Sequence, residues 1–160
     1  MNVLAIQSSG DQTSICAIVK YDVIQYSIKH DRKQRPNWSE MLLNLGLDSF
    51  FSLEEIDIFA YANNSGSYTA TRSVAAYLKG IASALSKPLI VIDSDDIDSL
   101  NADDVAKKAL ATYVDSSKQS DLFPADRANP IYLSIPQYKK INECFSYSEF
   151  WRSDLHLCNY

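Results

Sequence analysis

The fold of this chain is indicated most clearly by the stretch Ser65-Gly66-Ser67-Tyr68-Thr69-Ala70-Thr71-Arg72. An apolar run precedes it, and a long segment with helical periodicity follows it. A glycine turn in this position closes a buried strand and opens a helix, as in the β–α units of α/β proteins. One apolar face of the helix has the spacing of a protein core. That face consists of Val74, Tyr77, Leu78, Ile81 and Leu85.

A second face of the same helix carries almost no side-chain bulk. It lies roughly a quarter-turn or more from the core face and consists of Ser73, Ala76, Gly80 and Ala84. Another helix could approach the backbone closely there, either from a partner protein or from within the same domain. The residues leave both interpretations open.

Three β-prone runs lie near the start of the chain, at Val3 to Gln7, Thr13 to Lys20 and Val23 to Lys29. The turn-forming segments Ser9-Gly10-Asp11 and Tyr21-Asp22 separate them. Short β-prone runs divided by such turns predict an antiparallel meander.

The middle of the chain alternates between helical and strand patterns. Helical spacing of apolar residues predicts an amphipathic helix from Trp38 to Leu47. Ser52 and Glu55 have the spacing of a capping box, which starts a helical turn. The continuous apolar runs Ile58 to Ala62 and Pro88 to Ile92 predict two buried parallel strands.

The resulting order, β-β-β-α-β-α-β, is that of the ribonuclease H-like layer in the actin, sugar kinase and Hsp70 superfamily. We expect an α/β lobe over residues 1–92 and a shortened C-terminal part over residues 93–160. In that second part the sequence predicts a helix from Ala102 to Tyr113, an exposed connection from Asp115 to Asp121 and an extended piece from Asn129 to Leu133, closed by a proline. The last twenty residues show no assignable pattern.

Composition excludes several classes of protein. A chain of 160 residues is long enough for one well-formed core, and a net charge of −5 disfavours direct binding of nucleic-acid phosphates. The sequence shows neither a signal-peptide pattern nor an apolar stretch long enough for a membrane span, so we expect a cytoplasmic protein without membrane contact. Cys16, Cys144 and Cys158 lack metal-ligand spacing and are expected to be reduced thiols.

Catalytic and metal-binding patterns are weak. Superfamily enzymes hold metal and phosphate with a carboxylate at the end of the first strand, where this chain has Gln7. The turn at Gly66 lacks the G-K-[ST] ending of a phosphate-binding loop. His30 and His156 are expected to be structural or surface residues, and Cys16 a buried structural thiol. The acidic run is expected to be solvated because it lacks EF-hand spacing, and it consists of Asp93, Asp95, Asp96 and Asp98.

Three motifs carry a resemblance to a known family. The opening Val3-Leu4-Ala5-Ile6-Gln7-Ser8-Ser9 is similar to ILAIDTS, and Asn129 to Leu133 is similar to a late P-x-Y-L-R element. The pattern GPGSFTGxRxxxAxxKGxA is matched by Gly66, Ser67, Tyr68, Thr69, Arg72, Ala76, Lys79, Gly80 and Ala82. These motifs belong to the TsaB (YeaZ-type) family, which the chain resembles well from residue 1 to 92. Three positions depart from it, since Gln7 replaces Asp, Asn64-Ser65 replaces Gly-Pro and Val74 replaces Gly.

The resemblance implies a ribonuclease H-like, actin-like fold with a truncated second lobe. It also implies a non-catalytic subunit that binds a TsaD-type enzyme, which places threonylcarbamoyl on the adenosine beside the anticodon in tRNAs that read ANN codons. A TsaE-type ATPase is a further implied partner, and the chain alone would form a homodimer. It would contact tRNA only indirectly, would hold no cofactor, metal or catalytic residue of its own, and would leave ATP to its partner proteins.

In this family two helices from each partner form a four-helix interface. The apolar residues of the first helix and the basic residues Arg72 and Lys79 beside the small face fit that arrangement. The expected partner interface consists of Trp38, Leu42, Tyr68, Thr69, Arg72, Ser73, Ala76, Lys79, Gly80 and Ser83. Two other interpretations remain open: a small ATP-dependent phosphotransferase of the same superfamily, and an inactive dimer unconnected with tRNA.

Overall fold

A five-stranded mixed sheet forms the centre of the computed structural model, with strand order β3-β2-β1-β4-β5. The structure describes residues 1–31, 36–63, 67–97 and 101–130. Strands β1 (Val3–Ser8), β2 (Gln12–Val19) and β3 (Asp22–Lys29) are antiparallel neighbours. The predicted meander is therefore confirmed, with its second turn one residue earlier than expected.

The other two strands are parallel to β1. Strand β4 (Ile58–Asn63) pairs with β1, and β5 (Leu89–Asp93) pairs with β4. Every residue of β1 and β4 is buried, which explains their continuous apolar sequences. Both predicted buried strands are confirmed.

In the described part of the chain, three α-helices cover the sheet. Helices α1 (Trp38–Leu45) and α2 (Tyr68–Ala84) pack on one face, and α3 (Ala102–Asp115) packs on the other. This is a three-layer α/β/α lobe with a hydrophobic core on each side of the sheet. The expected helices are present, and the residues on either side of the predicted glycine turn form the expected strand and helix.

Helix α1 ends earlier than the apolar spacing predicts. Gly46 adopts a left-handed conformation with φ of 113°, and its amide donates to the carbonyls of Leu42 and Leu43. A Cβ at this position would lie 2.5 Å from Cδ2 of Phe50. The predicted end at Leu47 was wrong because this glycine cap terminates the helix. The capping box of Ser52 and Glu55 is confirmed, at a short 3-10 turn.

The described residues after β5 remain attached to the same lobe. Leu89 N donates to Phe123 O at 3.0 Å, and the Tyr61 hydroxyl donates to Ala128 O at 2.9 Å. Ala125 and Ala128 are buried in the core beneath α1 and α2. The predicted connection at 115–121 is mostly exposed. Most of the predicted extended piece, together with His156, Cys144 and Cys158, lies outside the described residues.

The hairpin between β2 and β3 is strained and gives a stability prediction. Lys20 and Tyr21 have φ angles of 51° and 78°, which side chains with a Cβ rarely adopt. We expect Lys20→Asn combined with Tyr21→Gly to raise the free energy of unfolding by roughly 1 kcal/mol. Urea denaturation measures this change. Lys20→Asn combined with Tyr21→Ala is the control, since it also removes the 95% exposed ring but keeps the Cβ, and an equal gain would contradict the strain.

Candidate partner interface

The face of α2 opposite the core is exposed. Thr69, Ala76, Gly80 and Ser83 are exposed, and Ser73 is half-buried. A Cβ built on Gly80 meets no described atom within 4 Å. The small-residue face therefore does not serve as a helix contact inside the described part of this lobe.

The opposite side of α2 faces the core, as the periodicity predicts. Val74 and Leu78 are fully buried, and Tyr77, Ile81 and Leu85 are half-buried against the same cluster. Both faces of α2 therefore lie where expected: one packs against the core and the other is exposed to solvent.

The two basic side chains beside the exposed face have different surroundings. Arg72 Nη1 lies 3.3 Å from the Tyr68 hydroxyl, and the guanidinium carbon lies 5.3 Å from the centre of that ring. Lys79 Nζ instead donates to Asp126 O at 3.1 Å and to Asn129 Oδ1 at 2.5 Å. Arg72 thus remains on the open surface, whereas Lys79 fastens the 125–130 segment to α2.

Helix α1 contributes less to this surface than the sequence suggests. Trp38 is half-buried and stacks on Tyr77 with ring centres 5.5 Å apart. Leu42 is only 2% exposed and belongs to the protein's own core, so its assignment to a partner interface was wrong. The exposed apolar residue on this helix is Leu43, at 57%. A helical wheel that placed Met41, Leu42 and Leu45 together on the core side would have shown this.

We call the exposed face of α2 the α2 surface. It comprises Tyr68, Thr69, Arg72, Ser73, Ala76, Gly80 and Ser83. Its centre lacks large side chains and its rim carries an aromatic ring and a positive charge. A second helix can approach such a centre closely, while the rim contributes orientation and specificity.

A second group of polar side chains is buried where strands β1 and β4 end. Gln7 is 2% exposed, and its Nε2 atom has no hydrogen-bond partner among the described residues. Its Oε1 atom accepts from Ser14 Oγ at 3.5 Å, and Ser14 Oγ accepts from Ala102 N at 3.0 Å. The side chain of Gln7 ends in a neutral amide, so it cannot supply an anionic metal ligand.

Three further polar side chains at this edge of the sheet are hydrogen-bonded to one another. Ser8, Thr13 and His30 form a short chain, with Oγ to Oγ1 at 2.6 Å and Oγ1 to Nε2 at 2.9 Å. Ser8 is 4% exposed, so its hydroxyl is not accessible as a nucleophile. His30 is half-buried and contacts Thr13 through this hydrogen bond.

The acidic run shows no metal-binding geometry in its described part. Asp93, Asp95 and Asp96 are exposed, and Asp93 accepts from Asn63 Nδ2 at 3.1 Å. Asp98 lies outside the described residues. Within the ranges that the structure describes, no group of three or more acidic, histidine or cysteine side chains could hold a metal ion.

Cys16 is a buried thiol and gives a pH prediction. Burial raises its pKa from 9.0 to about 12, with Asp103 adding to the rise and Lys107 opposing it. Below pH 9 the thiol is protonated in both the folded and unfolded chains, so its full contribution to stability is present there. Between pH 9 and about 12 the unfolded chain loses this proton first. We expect the free energy of unfolding to fall with pH across this window, and to fall less steeply in Cys16→Ala; equal slopes would contradict the shift.

The fold belongs to the ribonuclease H-like, actin-like class, as a mixed five-stranded sheet with helices on both faces. Two solved structures that it resembles are "YeaZ from Pseudomonas aeruginosa" and an uncharacterized protein with similarity to peptidase YEAZ from Pseudomonas aeruginosa. Each has a TM-score of 0.53 and 20% sequence identity, over 57% of this chain and 43% of the other. No protein-family model and no curated protein matches the sequence.

These likenesses establish the fold. The matched part spans less than half of each solved chain, which fits the expectation of a shortened second lobe. In the described ranges, no helix combines the length and the apolar character needed to cross a membrane.

Proposed function

We propose that this chain is a TsaB-type, non-catalytic subunit. It binds and activates a TsaD-type enzyme that adds threonylcarbamoyl to the adenosine beside the anticodon of ANN-reading tRNAs. The observation that carries this proposal is the exposed, small-residue centre of the α2 surface. The YeaZ-like fold and the motif residues around Gly80 also support it.

Packing geometry explains how the α2 surface would serve. Helices pack with their axes roughly 8–10 Å apart, and small residues at the contact allow the lower end of that range. Ala76 and Gly80 occupy the centre, and a Cβ on Gly80 would still find open space. Arg72 and Tyr68 would lie at the rim, where charge governs orientation and association rate more than affinity.

In this proposal the chemistry belongs to the partner. The buried amide of Gln7 supplies no carboxylate, so ATP would be used by partner proteins, including a TsaE-type ATPase. The net charge of −5 disfavours strong phosphate contacts, and tRNA would be reached only through the complex. We further propose that the protein is cytoplasmic and that it forms a homodimer when its partner is absent.

The proposal is tested by depletion of this protein in its native cell. Nuclease digests of bulk tRNA should contain less threonylcarbamoyladenosine, and re-expression of the wild-type chain should restore it. A scaffold raises the population of its partner's active state. Loss of the scaffold therefore lowers the level of tRNA modification, although no catalytic residue changes. Normal modification in depleted cells would remove the assignment.

A second measurement separates this function from the phosphotransferase alternative. We expect the isolated protein to bind Mg-ATP with a dissociation constant of roughly millimolar or weaker, equivalent to about −4 kcal/mol. The reason is the neutral, 2% exposed Gln7 at the end of β1. Calorimetric titration measures the affinity, and a micromolar constant accompanied by ATP hydrolysis would favour the phosphotransferase.

A further inference from the structure

The hydrogen-bonded row of Ser8, Thr13 and His30 links three strands at one end of the sheet. Ser8 is the last residue of β1, Thr13 is the second residue of β2, and His30 directly follows β3. Ser8 and Thr13 are 4% and 0% exposed, whereas His30 is half-buried. The row therefore leads from a partly exposed imidazole to a buried hydroxyl.

The backbone carbonyl of Asp31 fixes which ring nitrogen of His30 carries the proton. His30 Nδ1 lies 3.2 Å from Asp31 O, and a carbonyl oxygen can only accept. Nδ1 therefore donates, which leaves Nε2 of the neutral ring as an acceptor. The Thr13 hydroxyl must then donate to Nε2 at 2.9 Å. Because the Thr13 proton is used there, the Ser8 hydroxyl donates to Thr13 Oγ1 at 2.6 Å.

Protonation of the ring reverses this order. When Nε2 takes a proton from water it becomes a donor, so Thr13 Oγ1 accepts from it and the Thr13 proton turns to Ser8 Oγ. The Ser8 hydroxyl then donates to Ser9 O, which lies 3.5 Å away. The one added proton stays on Nε2, and each hydroxyl keeps its own. In both charge states every hydroxyl of the row has an acceptor, so neither state leaves a buried donor unpaired.

The charged groups on the surrounding elements do not replace this row. Asp11 lies in the β1–β2 turn, and its backbone oxygen accepts from the His30 amide at 2.9 Å. Lys29 and Asp31 flank the histidine in the sequence, and Glu40 lies on α1, which packs over β2 and β3. Among the described residues, no carboxylate forms an ion pair with the ring.

We propose that Ser8, Thr13 and His30 form a proton-sensing relay, in which the charge of His30 sets the direction of the buried Ser8 hydroxyl. Histidine changes its charge near neutral pH. The relay carries that change to the β1–β2 turn, because Ser9 O receives the Ser8 hydroxyl only in the charged state. It uses no residue of the α2 surface and does not rest on the proposed function.

The tautomer of neutral His30 is the first test. In the full chain with His156→Gln, His30 is the only histidine. Long-range ¹H–¹⁵N correlation NMR at a pH where the ring is neutral should show the proton on Nδ1 and none on Nε2. A neutral ring with its proton on Nε2 would overturn the proposal, since the Thr13 hydroxyl would then not donate to it.

Ser8→Ala tests the relay itself, because Ser8 forms no hydrogen bond with the ring in the described structure. In the charged state the Thr13 hydroxyl would lose its acceptor, whereas in the neutral state it would still donate to Nε2. The NMR titration of His30 should therefore give a protonation constant roughly threefold or more below that of the parent chain. Ser27→Ala, at an exposed position on β3, is the control and should leave the constant unchanged. Equal constants in Ser8→Ala and the parent chain would overturn the relay.

A double variant separates the relay from a general effect of packing. In a Thr13→Val background the row is interrupted, so adding Ser8→Ala should no longer change the protonation constant of His30. A persistent threefold effect would show that Ser8 acts without Thr13 and would contradict the proposal. Circular dichroism checks that each variant is folded. No TsaD-type protein enters these measurements, so this inference and the proposed function can fail separately.

Discussion

Gly80→Leu should abolish or strongly weaken association with the proposed TsaD-type partner while the domain stays folded. The leucine would stand at the centre of the α2 surface and hold a second helix beyond the normal packing distance of roughly 8–10 Å. Loss at an interface centre is on the order of 2 kcal/mol or more, which is roughly thirtyfold in affinity. Biolayer interferometry against the immobilised partner measures this loss.

The same substitution should not destabilise the chain. A Cβ on Gly80 finds no described atom within 4 Å, so the side chain meets open space. Replacing a glycine inside an exposed helix adds about 0.5–1 kcal/mol to stability. Ala111→Leu, an exposed small-to-large change on α3 at the other face of the sheet, is the matched control. If both variants bound the partner like the wild type, α2 would not be the interface.

Leu78→Ala should lower the free energy of unfolding by about 2–5 kcal/mol. Leu78 is 0% exposed and packs in the cluster between α2 and the sheet. The change removes transfer free energy and leaves a cavity that neighbouring side chains fill only in part. Urea denaturation followed by circular dichroism measures the loss.

Leu43→Ala provides the same chemical deletion at an exposed position. Leu43 is 57% exposed on α1, so its truncation should change stability by less than about 0.5 kcal/mol. A similar loss in both variants would contradict the assignment of the core face of α2.

Much of the lobe was predictable because its signals are local. The apolar runs of β4 and β5 are short, β-branched and bounded by polar residues, as buried parallel strands require. The two faces of α2 follow from helical geometry alone. Both features required only spacing and residue size, and both are present in the structure.

Other features depend on contacts distant in sequence and could not be predicted. Lys79 donates a hydrogen bond to Asn129, fifty residues later in the sequence. Because of this contact, the Lys79 ammonium group is not a freely exposed charge. The burial of Leu42 rather than Leu43, by contrast, follows from the helical spacing of Met41, Leu42 and Leu45. The division of the chain at residue 92 and the interface assignments other than Leu42 stay predictions.

Sedimentation velocity of this chain mixed with the purified TsaD-type subunit of the same organism tests the proposed scaffold role. We expect a heavier, saturable complex that forms with the wild-type chain and with Ala111→Leu, and that disappears with Gly80→Leu. If the wild-type chain and the TsaD-type subunit sediment independently at all concentrations, the chain is not the scaffold proposed.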